Sequence, residues 1–493
     1  MLYQSTRDSN AKKFEGSMAI KQGLASDGGL FVPESIPSLS HDEILSLCGD
    51  SYPVRAAKIL SKFLTDYTYE ELLADCEKAY STESFEGGCA PLAKVREGLY
   101  SLELWHGPTS AFKDMALQIM PRLLSRALVK NNEKRTALIL VATSGDTGKA
   151  ALEGYKDVDG VKIMVYYPVD GVSRVQKLQM ATQEGSNVNV CAIRGNFDDA
   201  QNGVKAIFGN SEAAKNLDSQ EVFLSSANSI NWGRLAPQIV YYISAYCDLL
   251  AKGKIKLGDK VNYCVPTGNF GNIFAAYLAK LMGLPVGKLV CASNTNNVLT
   301  DFLRTGEYNR NRKFHLTMSP SMDILISSNL ERLLYFTAGS EKTAEYMASL
   351  KETGAYKISP EILAKINETF IGYYADEAET AATIKATFVK DGYLADTHTS
   401  VALSCANKYI NESKDNTPMV VASTASPYKF AADVLKSLGG EKPEDDLAAL
   451  EMLSKLTNTE ITRPLRGLAD RKVNFKDVIN AEEMLDKVYD FAK

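Results

Sequence analysis

The chain has 493 residues, 45% hydrophobic and 23% charged, an ordinary globular balance at about three to four times the length of an average domain. Lys plus Arg total 55 against 60 Asp plus Glu, and the net charge of -5 leaves no basic surplus to neutralise nucleic-acid phosphates. No stretch approaches the ~18 uninterrupted apolar residues of a membrane span, and the opening Met1 to Asp8 lacks the apolar core of a signal peptide, so a multi-lobed, soluble, cytoplasmic protein is expected.

Eight cysteines (Cys48, Cys76, Cys89, Cys191, Cys247, Cys264, Cys291, Cys405) are scattered without a C-x-x-C pair, which argues against a disulfide framework and a thiolate zinc site. They read as reduced thiols. The four histidines (His41, His106, His315, His398) form no H-E-x-x-H arrangement, so a metal-centred hydrolase has almost no ligands to draw on. No metal is expected, and difficult chemistry needs another electron sink.

In chain order, residues 1–92 read as a separate N-terminal subdomain: a turn-rich Gly23 to Pro33, then amphipathic helices near His41 to Leu64 and Tyr69 to Tyr80. From 93 to 438, short β-branched and apolar runs end in Gly, Ser or Thr clusters and lead into helical stretches. These runs are Leu99 to Trp105, Ala137 to Thr143, Lys162 to Pro168, Val188 to Gly195, Lys260 to Thr267, Leu289 to Asn294 and Met419 to Thr424. Repetition of strand, polar turn and helix predicts an α/β fold with mostly parallel sheets covered by helices on both faces. Ligands in such folds bind beyond the carboxyl ends of the strands. After Gly439-Gly440 and Lys442-Pro443, residues 439–493 read as a charged helical tail.

Three strand-to-helix turns carry chemistry. In Gly107-Pro108-Thr109-Ser110-Ala111-Phe112-Lys113-Asp114, a lysine at the sheet edge can act, once desolvated, as nucleophile or base; alone, it reads far more readily as a surface residue opening an exposed helix. In Thr143-Ser144-Gly145-Asp146-Thr147-Gly148-Lys149, hydroxyls and helix-start amides suit an anion, or simply cap a helix. A nucleotide P-loop needs Gly at 143 and Ser or Thr at 150, whereas Thr143 and Ala150 stand there. In Pro266-Thr267-Gly268-Asn269-Phe270-Gly271-Asn272, paired glycines let backbone approach a phosphate.

His106 to Asp114, Ser144 to Gly148 and Gly268 to Asn272 together resemble the threonine synthase family, pyridoxal-phosphate enzymes of the tryptophan-synthase-β fold type. Tyr3-Gln4-Ser5-Thr6-Arg7 and Gly23 to Pro33 resemble its microbial and fungal branch, so the similarity spans nearly the whole chain. With no long extension ahead of Tyr3, it is unlike the plant branch that S-adenosylmethionine activates. The resemblance implies two doubly wound lobes, the smaller inserted at roughly 125–255. It further implies that Lys113 carries the cofactor as an aldimine and that Gly268, Asn269, Phe270, Gly271 and Asn272 wrap its phosphate. Thr424 would offer a neutral hydroxyl to the pyridine nitrogen, which tempers the electron sink. Ser144, Asp146 and Thr147 would meet the substrate carboxylate and the ring-hydroxyl side. Asn228, Ser229 and Arg234 would grip the substrate phosphate. Many relatives have His where Ser426 stands and Pro where Thr397 stands, so roles for Ser426 and His398 stay open.

The implied reaction converts O-phospho-L-homoserine and water to L-threonine and phosphate, the last step of threonine biosynthesis, with a small-molecule substrate and neither nucleic acid nor membrane as partner. Sister activities on this fold, a serine or threonine dehydratase or a β-replacing synthase, are the alternative; a scaffold that has lost catalysis is another. An enzyme acting on an unphosphorylated amino acid has no use for a cation clamp at Arg234. Nothing in the sequence fixes an oligomeric state.

Overall fold

Thr136–Ala142 (Thr-Ala-Leu-Ile-Leu-Val-Ala) is apolar at consecutive rather than alternate positions and buried throughout its interior, and every residue of Val261–Pro266 is buried. Strands of that kind need cover on both faces, which parallel sheets flanked by helices supply. The computed structural model describes every residue except Ser9, Ala11, Ser144, Gly171 and Lys442, and it contains two such sheets.

The larger has six strands in the order Phe370–Tyr374, Val286–Ser293, Val261–Pro266, Met419–Ser423, Leu99–Glu103, Leu92–Arg96. All pair in parallel except Leu92–Arg96, which closes one edge antiparallel to Leu99–Glu103. The smaller sheet runs Val478–Ile479, Val188–Ile193, Val161–Pro168, Thr136–Ala142, Val222–Ser225, parallel throughout. The expected α/β class with mostly parallel sheets is what the structure has. The tail carries helices Asp446–Thr457 and Met484–Ala492 joined by irregular chain, and its strand Val478–Ile479 pairs with Ala192 and Ile193. Its helix Met484–Ala492 then packs on Met164, Tyr166, Val204 and Ile207.

The N-terminal residues add a three-stranded antiparallel sheet of Phe14–Glu15, Leu2–Ser5 and Phe31–Pro33. Helices His41–Cys48 and Tyr69–Ala79 each begin in a capping box, Ser40 with Glu43 and Thr68 with Glu71, where side chains satisfy otherwise orphaned amides. The helical stretch expected from His41 to Leu64 is two helices, because Ser51 and Pro53 start Tyr52–Phe63 afresh. The helical run that follows Lys113 is likewise split into Asp114–Leu117 and Met120–Lys130, with Pro121 opening the second.

One glycine fixes how a strand-to-helix turn of each sheet meets the other. A Cβ on Gly154 would lie 1.8 Å from the Leu117 carbonyl oxygen, so only glycine lets helix Asp146–Tyr155 press its backbone on helix Asp114–Leu117. The turns that open these helices, at Lys113 and Asp146, are thereby held together.

Candidate active site

The turn after Leu99–Glu103 is stitched to the end of Met419–Ser423. Phe112 N-H donates to the Thr424 carbonyl at 2.8 Å, Ser426 N-H to the Ser110 carbonyl at 3.0 Å, and Ala111 bridges to Ala425. Ser110 takes a left-handed φ of 58°, a cost that these bonds offset. Asp114 accepts from Thr109 N-H at 2.8 Å and Thr109 Oγ1 at 2.7 Å. Burial, opposed by those bonds, leaves its carboxyl pushed up to about 7. The frame fixes Lys113 at the mouth of both sheets.

Lys113 Nζ lies 3.3 Å from Ser321 Oγ and 3.7 Å from Asp146 Oδ2. Burial lowers its affinity for a proton, and the positive charges of Lys429 and Arg234 add to this against the pull of Asp146. Asp146 opens helix Asp146–Tyr155 and accepts from Gln176 Nε2 at 2.8 Å. Burial alone would raise its pKa, but Lys429 first and Lys113 second outweigh it and hold the carboxyl below the usual range. Lys429 itself, with no exposed side-chain area, pairs with Asp146 at 3.1 Å and donates to the Thr109 carbonyl at 2.8 Å.

Of the second turn, Ser144 lies outside the described residues. Thr143 Oγ1 accepts from Gly145 N-H and Gly148 N-H, both at 3.0 Å, so this hydroxyl caps the helix rather than facing a ligand. Thr147 is half-buried on the first helical turn.

In the third turn Phe270 is left-handed (φ 62°) and helix Gly271–Leu281 follows. Ser327 Oγ donates to the Gly268 carbonyl at 2.6 Å; Asn329 N-H and Nδ2 donate to the Asn269 carbonyl at 3.0 and 2.9 Å. In a planar trans peptide the N-H opposes the C=O, so the amides of Asn269 and Phe270 face away from 327–329. Asn272 Oδ1 accepts from Tyr241 at 2.5 Å and Tyr242 at 2.6 Å, while its buried Nδ2 has no partner among the described residues. Buried donors are rarely left unsatisfied, and this one awaits an acceptor.

Arg234, on the short helix Trp232–Leu235, is 4% exposed. Its Nη1 donates to the Ala227 carbonyl at 2.5 Å, its Nε has no partner among the described residues, and burial pushes its pKa down to about 10. Among the described residues it forms no ion pair. Asn228 is exposed and Ser229 half-buried, with the Ser229 carbonyl 3.5 Å from Asn329 Nδ2. Thr424 is buried where the central strand Met419–Ser423 ends.

The structure thus brings Lys113, Asp146, the 268–272 turn, Thr424 and Arg234 to one mouth. It adds residues that sequence reasoning missed: Gln176, Ser321, Ser327, Asn329 and Lys429. Of these only Lys429 had a signal, as a lysine just beyond a strand's carboxyl end. A desolvated lysine, a turn of free amides with an unsatisfied Asn272 donor, and a buried hydroxyl between them fit pyridoxal 5'-phosphate.

Three family models match: Threonine synthase N terminus over residues 2–80, Pyridoxal-phosphate dependent enzyme over 89–424, and Threonine synthase, C-terminal over 399–489. Human threonine synthase-like 1 is 41% identical over 438 residues, 86% of this chain, which spans only 58% of that protein's length. Threonine synthase of Pseudomonas aeruginosa is 38% identical over 450 residues, covering 90% of this chain and 92% of that one. The crystal structure of pyridoxal-phosphate-bound threonine synthase from Brucella melitensis superposes with a TM-score of 0.89 at 37% identity, covering 100% of both chains. By sequence and by fold, the chain belongs to the threonine synthase family of pyridoxal-phosphate-dependent enzymes.

Proposed function

We propose that this chain converts O-phospho-L-homoserine and water to L-threonine and phosphate. The carrying observation is Arg234, a buried guanidinium close to Lys113 with no carboxylate partner among the described residues. A buried cation without a counter-ion is costly, and a phosphorylated substrate would supply the anion. A dehydratase acting on serine or threonine would leave that charge uncompensated.

Bound pyridoxal phosphate supplies the electron sink that carbanions at Cα and Cβ need. In this reading Lys113 carries the cofactor and, once freed, moves protons at Cα, Cβ and Cγ. Its lowered proton affinity enlarges the share of free amine that can act as a base. Gly268 to Asn272 hold the cofactor phosphate, and Thr424 offers its hydroxyl to the ring nitrogen. Arg234, Asn228 and Ser229 take the substrate phosphate. Asp146 is ionised, so it suits the ring-hydroxyl side, where it accepts a hydrogen bond. The substrate carboxylate, which it would repel, falls to Thr147, Ser144 and the helix-start amides. Phosphate departs by cleavage at carbon, so the magnesium clamp of phosphoryl transfer is not required.

The reading places the enzyme in amino-acid biosynthesis in the cytoplasm. Eight free cysteines support that. Incubating purified protein with O-phosphohomoserine should release threonine and phosphate in equal amounts. Phosphate without threonine would point to a different elimination, and neither product would end the proposal.

A further inference from the structure

Ser321 lies on a loop remote in sequence from all three turns, yet its hydroxyl is within 3.3 Å of both Lys113 Nζ and Asp146 Oδ2. Hydrogen bonds pin that loop from two sides. On one, the Asp323 carboxylate accepts from Asn294 Nδ2 at 2.8 Å, Asn296 Nδ2 at 2.9 Å and Thr317 Oγ1 at 2.7 Å. On the other, Ser321 N-H donates to His398 Nε2 at 3.1 Å.

His398 can accept there because its other nitrogen is committed: Nδ1 sits 2.9 Å from Asp396 Oδ2. A carboxylate at Nδ1 keeps the proton on that nitrogen and leaves the Nε2 lone pair free. Asp396 is fixed in turn by the amides of His398 at 2.9 Å and Thr399 at 3.0 Å and by the Thr399 hydroxyl. All three of Asp396, His398 and Thr399 are buried. The Ser321 carbonyl oxygen lies 2.8 Å from where a Cβ on Gly268 would stand, so the loop rests directly on the third turn.

We propose that Ser321 is a catalytic residue that holds the Lys113 amine, and that His398, backed by Asp396, is the positioning residue that holds Ser321. The serine hydroxyl accepts from Lys113 and donates to Asp146, which fixes the direction of the Lys113 lone pair. Without it, the amine would swing onto Asp146 alone. The charged groups around the amine are Asp146, Lys429 and Arg234; those around the imidazole are Asp396 and, at longer range, Asp146. The proposal rests on the reading of Lys113 as the cofactor lysine.

The test is a pH titration of the absorbance of lysine-linked cofactor in the holoenzyme, alongside steady-state kinetics. Ser321→Ala should keep stoichiometric cofactor, move the titration midpoint by about one pH unit, and lower kcat about tenfold, the scale of one hydrogen bond to a charged group, with KM nearly unchanged. His398→Ala should shift midpoint and kcat the same way, and His398→Gln, whose Oε1 can take the Ser321 N-H, should restore most of both. A Ser321→Ala titration and kcat indistinguishable from wild type would overturn the role of Ser321. Equal losses in His398→Gln and His398→Ala would overturn the positioning role of His398. A wild-type protein without any lysine-linked band would instead sink the cofactor reading, and this proposal with it.

Discussion

Lys429 and Lys113 share one carboxylate: Lys429 Nζ lies 3.1 Å from Asp146 Oδ1, and Lys113 Nζ 3.7 Å from Asp146 Oδ2. The buried Lys429 takes the closer contact, so Asp146 neutralises Lys113 only in part. Lys429 also repels the proton on Lys113 directly. Lys429→Met should therefore raise the pKa of Lys113. Labelling of the Lys113 amine in the apoenzyme, followed against pH, should have its midpoint at higher pH than in wild type; a midpoint that stays or falls would contradict the arrangement. Breaking this buried pair should also cost about 3–5 kcal/mol of stability, measurable by urea unfolding.

Gly271 begins the helix beneath the proposed cofactor phosphate, and a Cβ there would stand 3.3 Å from Asn329 Nδ2. Gly271→Asp adds that tight contact and a negative charge beside a dianion. Cofactor should be lost on dialysis while the far-ultraviolet circular dichroism stays native. Retention of stoichiometric cofactor would rule out the turn as its phosphate site.

Arg234→Ala removes a charge-assisted contact worth roughly 1.5 to 3 kcal/mol, or about ten- to a hundredfold in kcat/KM for O-phosphohomoserine. The stoichiometry of bound cofactor should be unchanged. Any side activity on serine, which makes no use of a phosphate clamp, should fall far less. Equal loss on both substrates would mean that Arg234 supports the site generally rather than the substrate phosphate.

Asp114 gives a stability signature in the neutral range. Its folded pKa, about 7 through burial, lies above the unfolded value of about 4. A raised pKa means that the folded state holds the proton more tightly, so this contribution is full below about pH 4 and is lost as pH rises through about 7. Asp114→Asn keeps an acceptor for Thr109 N-H and has no charge to bury. Between about pH 4 and 7 the wild type should lose about 2 to 4 kcal/mol relative to the variant, read from denaturant midpoints at each pH. Parallel profiles for the two proteins would show that Asp114 is ionised at neutral pH.

What was legible in the sequence was local. Lys113 and the 268–272 turn each announce themselves within one strand-turn-helix unit, where a few adjacent residue types suffice to suggest their chemistry. Ser321 and Gln176 carry no such signal, because what makes each functional is the approach of a segment far away in the chain. Serine in Ser319-Pro320-Ser321 reads as an ordinary turn until Asn294, Asn296 and His398 are known to hold it against Lys113. Sequence alone does not separate a clamp at Arg234 from a solvated surface charge; its burial at 4% exposure does. Among strands, Leu92–Arg96, Val222–Ser225 and Phe370–Tyr374 escaped detection. They are edge strands of four or five residues, and in Leu92–Arg96 and Phe370–Tyr374 the apolar run is broken by Lys94 and Arg96 and by Gly372.

The edge strand Val478–Ile479 ties the order of synthesis to the order of folding. Val188–Ile193 leaves the ribosome long before its outer neighbour exists, so the smaller sheet carries an unpaired parallel edge while the rest of the chain is made. Such an edge invites pairing with other chains, and domains generally begin folding as they emerge. The helix Met484–Ala492 meanwhile has its own debt: Met484 accepts the hydroxyl proton of the buried Tyr166 at 2.8 Å, and Met484 and Val488 complete that side of the lobe's core. Ribosome-stalled chains ending before residue 478 should consequently hold a native-like larger sheet beside a smaller lobe still open to proteases and chaperones.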